Sequence, residues 1–169
     1  MKIIGISSFF HDSAAALIIN GEIKAAVQEE RFSRVKNDRS FPRFSLAYCL
    51  DEENLSISDI DFIAFYERPQ LSFSRAYENI NLNYKNIFLQ HSKLKDWGYN
   101  KLQFEDYFKY LYPEFKGGFF FSEHHLSHAA SAFYPSSFKQ SAILTIDGVG
   151  ENTTASIYFG EKNKIKKIV

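Results

Sequence analysis

The sequence predicts an α/β protein, on three observations. Short β-branched runs open the chain on either side of Asn20-Gly21. Apolar residues recur at helical spacing through its middle. A strand–turn–strand succession then restarts at Ser141. Asn-Gly between two apolar runs is the strongest short-range hairpin signal, so the opening is read as an antiparallel meander.

The elements follow in order. "KIIGIS", "AAALIIN" and "EIKAAVQ" predict strands near 2–7, 13–19 and 22–29. "EERFSRVKNDRSFP" is charged, ends at Pro42 and reads as a loop. "RFSLAYCLDEEN" places Phe44, Ala47, Tyr48 and Leu50 at helical spacing. "SISDIDFIAFYE" supplies a turn and a buried strand near 61–66. "SFSRAYENINLNY", "NIFLQHSKLKDWG" and "KLQFEDYFKYLYPEF" predict three helices, ended by Pro113 and Gly117-Gly118. In the last of them Leu102, Phe104, Tyr107, Phe108 and Leu111 form a broad stripe that reads as core. "FFFS" predicts a short strand, and "EHHLSHAASAFY" a helix stopped by Pro135. "SAILTID", "TTASIYFG" and "KIKKIV" predict three more strands, the first two joined by "GVGEN". There is no repeat of fixed period, but the opening meander is echoed from residue 141 onward.

Composition bounds the class. A length of 169 residues suits one ordinary domain or two small lobes. Apolar residues at 45% and charged residues at 24% describe a soluble globular chain. Lys plus Arg balances Asp plus Glu at 20 each, which points to neither nucleic acid nor a membrane surface as partner. Cys49 is the single cysteine, so an internal disulfide is excluded and a reducing compartment fits. The apolar N-terminus is broken by His11, Asp12 and Ser13, unlike a signal peptide. No apolar run reaches the roughly 18 residues of a spanning helix. The expectation is a cytoplasmic protein.

Several side chains could carry chemistry. His124 and His128 are four apart, hence on one face of a helix, about 5–6 Å apart at Cβ, which suits two imidazoles gripping one metal. The plain alternative is a pair of histidines facing water or capping a helix start. His125 is rotated about 100° away and does not join them. An H-E-x-x-H site is excluded, because the residue after His124 is His125. Asp147 closes a predicted strand before Gly148, Val149 and Gly150. That position suits a metal or a phosphate, with glycines allowing close backbone approach, although Asp-Gly is also an ordinary hairpin turn. His11 and Asp12 sit at the first bend. Arg31, Arg34 and Lys36 cluster beside Glu29 and Glu30, either as a solvated loop or as a cationic grip for a phosphate group.

"GISSFFHDSAAALIINGEIKAAVQEERFSRVKND", "EHHLSHAASAFYPSSF" and "AILTIDGVGENTTASIY", in this order, resemble the N-terminal part of the O-carbamoyltransferases of the nodulation-protein and antibiotic-tailoring type. The resemblance covers roughly residues 3–42 and 119–159; the middle is not diagnostic. It implies an actin/sugar-kinase/Hsp70-like (ribonuclease H-like) mixed-sheet fold, with residues 1–139 as a first lobe and 140–169 as the opening strands of a second. It implies an enzyme that makes carbamoyl-adenylate from carbamoyl phosphate and ATP, then passes the carbamoyl group to a hydroxyl acceptor. It implies a divalent metal, iron foremost with zinc or manganese as alternatives, held by His124, His128 and Asp147. A further aspartate would come from later in the chain. Gly148, Val149 and Gly150 would lie against the nucleotide phosphates, and His11, Arg31 and Lys36 would handle the carbamoyl group or phosphate. Family members are several times longer, so the expectation is a truncated, inert piece that self-associates through exposed strand edges. A sugar-kinase-like lobe or a non-catalytic nucleotide- and metal-binding module of the same fold are the competing readings.

Overall fold

A computed structural model of the chain describes residues 1–96, 99–148, 151 and 153–169. It divides into two compact units, Met1–Phe65 with His91–Phe121, and Tyr66–Gln90 with Ser122–Val169. The boundary expected at 139/140 falls inside the second of these.

In the first unit, strands β1 (Lys2–Ser7), β2 (Ala14–Ile19) and β3 (Glu22–Gln28) form the meander the sequence predicts. Its tight turn uses Asn20 at φ 52° and Gly21 at φ 88°, the left-handed region those residue types tolerate best. The charged stretch after β3 is not all loop. Residues Glu30–Ser33 make a one-turn helix, α1, and α2 (Arg43–Asp51) follows. Buried Glu29 reaches across to α2, where its carboxylate accepts from the N–H of Phe44 (3.0 Å), the N–H of Ser45 (2.8 Å) and the Ser45 hydroxyl (2.7 Å). Amides at a helix start have no partner within the helix, so a buried carboxylate there satisfies them and opposes the positive end of the dipole.

Strands β4 (Phe62–Phe65) and β5 (Gly118–Phe121) add in parallel beside β1, giving a mixed sheet of order β3-β2-β1-β4-β5. Register aligns Leu17, Ile4, Ile63 and Phe119 across it, and Ala15, Ile6, Phe65 and Phe121. This face takes the core: Leu46 and Cys49 of α2, and Phe104 and Phe108 of α6 (Phe104–Leu111), are all buried. Phe104 stacks 4.1 Å, centroid to centroid, from Phe65 and meets Phe119 and Phe121 edge-on. Of the stripe read as core, Phe104 and Phe108 are buried, and Leu102, Tyr107 and Leu111 are half-buried at its margins. The strand expected to be buried at 61–66 is buried on this face alone: Phe62 on the other side is exposed. The three predicted middle helices become α3 (Pro69–Asn83), α4 (Ile87–Asp96), a short α5 (Tyr99–Leu102) and α6.

In the second unit, β6 (Gln140–Ile146), β7 (Ala155–Glu161) and β8 (Lys164–Lys167) form an antiparallel sheet of that order, the meander expected from the restart. Helix α7 (His124–Phe133) packs on one face, where Ala129 and Phe133 meet Ile143 and Tyr158. Gly160 is required there, since a Cβ would come within 2.8 Å of the Phe133 ring. Period-2 alternation leaves Leu144, Ile146, Ile157 and Phe159 exposed on the opposite face. Among the described residues no helix is long and apolar enough to cross a membrane.

Candidate metal centre

The site is built from the first turns of α7 and the end of β6, both in the second unit. Glu123 is the N-cap of α7, in extended conformation. His124 and His125 are therefore the first helical residues, and His128 lies one turn on. Packing of α7 on the sheet sets this turn against Asp147, the residue just after β6, whose N–H bonds the Thr154 carbonyl at 2.8 Å. Strand pairing ends at Ile146–Ala155, so Asp147 and Gly148 are not the two central residues of a tight hairpin.

His124 Nε2 lies 2.7 Å from Asp147 Oδ2, His128 Nε2 lies 3.1 Å from His124 Nε2, and His128 Nε2 lies 3.5 Å from Asp147 Oδ2. Among the described residues these three make a convergent donor set of the kind a metal needs. Donors about 2.0–2.2 Å from a tetrahedral ion lie about 3.3–3.6 Å from each other, so the observed spacing needs only small adjustment. The electrostatics agree. Burial pulls the His124 pKa down, but the carboxylates of Glu67 and Asp147 outweigh it and the net shift is upward. Groups that favour a proton on His124 also favour a divalent cation in front of it. Two ring nitrogens and a carboxylate oxygen facing one another are poorly served by protons alone.

His125 stands apart, as its helical phase requires. It is buried, its Nδ1 pairs with Ser156 Oγ at 3.0 Å, and burial followed by the neighbouring His124 charge lowers its pKa. Gly148 is exposed, and a Cβ there would meet nothing within 4 Å. Val149 and Gly150 lie outside the described residues. His11, Arg31 and Lys36 belong to the first unit. His11 is exposed and pairs with its neighbour Asp12 at 2.7 Å, Arg31 pairs with Glu30 at 2.9 Å, and Lys36 is exposed. Among the described residues no hydrogen bond or ion pair joins these three to one another. His91, read as ordinary, is exposed on α4.

Two carboxylates in the second unit escape the sequence patterns. Glu67 Oε2 lies 3.6 Å from His124 Nδ1, with side chains only 6% and 10% exposed. Glu151 is buried and accepts from the N–H of Arg68 at the start of α3. Burial raises its pKa, opposed by the main-chain amides of Arg68 and His124. Its hydrogen bond thus serves the start of α3. An acidic residue flanking a helix start was the available signal, but only the fold shows which helix it serves.

The family described as Carbamoyltransferase N-terminus matches residues 2–168. This chain belongs to that family. Curated relatives also match along nearly the whole of this chain. An uncharacterized protein of Synechocystis sp. is 42% identical over 96% of this chain and 28% of its own length. The nodulation protein NolNO of Sinorhizobium fredii is 35% identical over 96% of this chain and 23% of its own length. An uncharacterized protein of Methanocaldococcus jannaschii is 25% identical over 94% of this chain and 24% of its own length. The chain thus spans between 23% and 28% of these curated relatives.

Proposed function

We propose that these residues form the N-terminal part of an ATP-dependent carbamoyltransferase that makes carbamoyl-adenylate from carbamoyl phosphate and transfers the carbamoyl group to a hydroxyl-bearing small molecule. Family membership supports the transferase class. The observation that carries the finer reading is the convergence of His124, His128 and Asp147 on one point.

Those three residues would hold a divalent ion, iron foremost, with zinc or manganese as alternatives allowed by a nitrogen–oxygen donor set. Bound there, the ion would neutralise phosphate charge and act as a template for the reacting groups. The chain's own residues do the rest. Asp147 stands at the end of β6 at the site, and beside it exposed Gly148, where even a Cβ would meet nothing within 4 Å, would let phosphate oxygens approach its backbone closely. His11, Arg31 and Lys36 form a second, solvent-facing set that would bind or orient the carbamoyl donor. The two meanders are read as the openings of the two lobes of an actin-like fold, and a cytoplasmic setting suits buried, free Cys49. The full activity is assigned to a protein of the length of these relatives, of which this chain spans 23% to 28%.

The test is metal content by mass spectrometry of the chain, with His128→Ala and Asp147→Ala beside it. About one equivalent of metal in the wild type, lost in both variants, is expected. Equal content in all three overturns the metal assignment. For the transfer itself, carbamoyl-phosphate-dependent release of pyrophosphate from ATP by a full-length family member is the readout, and its absence overturns the adenylate route.

A further inference from the structure

The geometry points to Glu67 as the positioning residue of this centre: its carboxylate holds the His124 proton on Nδ1 and so leaves the Nε2 lone pair for the metal. This rests on the metal reading above and adds a role for a residue that no motif singles out.

A neutral imidazole has one N–H and one lone pair, and what stands beside one nitrogen decides the state of the other. His124 Nε2 faces Asp147 Oδ2 at 2.7 Å and His128 Nε2 at 3.1 Å. On the opposite edge of the ring, buried Nδ1 faces Glu67 Oε2 at 3.6 Å. That is an ion-pair distance, longer than a hydrogen bond, so the influence is electrostatic. It acts with little screening, because the Glu67 side chain is 6% exposed and His124 10%. Carboxylate behind histidine behind metal is a recurrent support, which fixes ring orientation and raises the basicity of the ligand.

The local structure holds Glu67 in place. The Tyr66 ring meets the His124 ring edge-on, with centroids 5.6 Å apart. The Ser127 hydroxyl donates to the Tyr66 carbonyl at 2.8 Å, tying the chain beside Glu67 to α7. His128 differs. Its side chain is 53% exposed, and among the described residues no carboxylate stands within ion-pair distance of its Nδ1. His124 is therefore the oriented ligand and His128 the adaptable one.

The experiment is zinc titration of the chain against a chromogenic chelator, comparing wild type, His128→Ala, Glu67→Gln and Glu67→Met. Circular dichroism checks folding, and the isosteric Gln variant keeps the test usable if Met disrupts the core. Zinc affinity is expected to fall about 10–100-fold in Glu67→Met and less in Glu67→Gln, whose neutral amide can still accept. In the zinc-loaded wild type, long-range proton–nitrogen correlation should find the His124 proton on Nδ1, and Glu67→Met should shift or lose that signal. Wild type and His128→Ala binding zinc alike would sink the metal reading itself. Zinc lost in His128→Ala, with both Glu67 variants binding as tightly as wild type and the same His124 signal, would sink the role of Glu67 alone.

Discussion

Each unit packs a helix against a three-stranded antiparallel meander, which in the first unit is extended by two parallel strands, and each sets a buried glutamate near the start of that helix. In the first, Glu29 receives the amides of Phe44 and Ser45 at the start of α2. In the second, the His124 amide at the start of α7 opposes the burial of Glu151. The scaffolding is alike, yet the chemistry is not. The first turn of α2 presents Arg43, Phe44 and Ser45, whereas that of α7 presents His124 and His125, with Asp147 opposite. The lesson is that a capped helix start on a sheet is a generic platform. Function depends on which side chains stand at its opening turns and on what the strand end places in front of them.

The largest effect is expected at the platform of the first unit. Glu29→Ala removes the acceptor for two buried amides and a hydroxyl and should cost about 3 kcal/mol, read as a lower urea midpoint with unchanged slope. A cost below about 0.5 kcal/mol would show that α2 does not depend on this cap.

Next comes the core beneath α2, which buries an ionisable thiol where the core beneath α7 has Ala129 and Phe133. Burial pushes the Cys49 pKa up, from 9.0 to about 11, against a smaller opposite effect of the Leu17 backbone. The folded chain thus keeps this proton where the unfolded chain has lost it. The contribution is fully present below pH 9 and lost as pH rises to about 11, on the order of 2 kcal/mol in total. Stability measured across that window should fall less steeply in Cys49→Ala.

A third contrast concerns the second faces of the two sheets. On the sheet of the second unit, Leu144 and Ile146 are 62% and 76% exposed. The chain should self-associate there, and Leu144→Lys with Ile146→Lys should weaken association at least about tenfold, or about 1.4 kcal/mol, by sedimentation. An unchanged sedimentation profile would leave strand edges rather than this face as the contact. The smallest effect lies in the turns. Lys162 adopts φ 54°, a conformation the first meander gives to Asn20 at φ 52°. Lys162→Asn should therefore raise stability by about 0.5 kcal/mol in thermal unfolding.

Much of this was open to a reader of the chain. Six strands of the two meanders were visible because residues such as Ile4, Ile6, Leu17, Ile143 and Tyr158 sit in short β-branched or alternating runs, and Asn20-Gly21 admits one turn geometry. The i, i+4 spacing of His124 and His128 announced a shared helical face, and α7 keeps that spacing. The one-turn helix at Glu30–Ser33 was hidden in a charged stretch too short to show a period. The single-face burial of β4 was hidden because "FIAF" is apolar at every position. Helical spacing marks the middle helices but not the division between α5 and α6.

Local sequence therefore determined which segments are strands and helices, and that two histidines share one helical face, since those properties follow from spacing of 2 and 3.6 residues. Tertiary structure alone decided which glutamates matter. Glu29 lies 15 and 16 residues from the amides it serves, and Glu151 lies 83 residues from Arg68. Glu67 gains its position behind His124 only when α7 folds beside it. A buried carboxylate is defined by the partners that make its burial tolerable, and those partners are brought to it by packing rather than by neighbourhood in the chain.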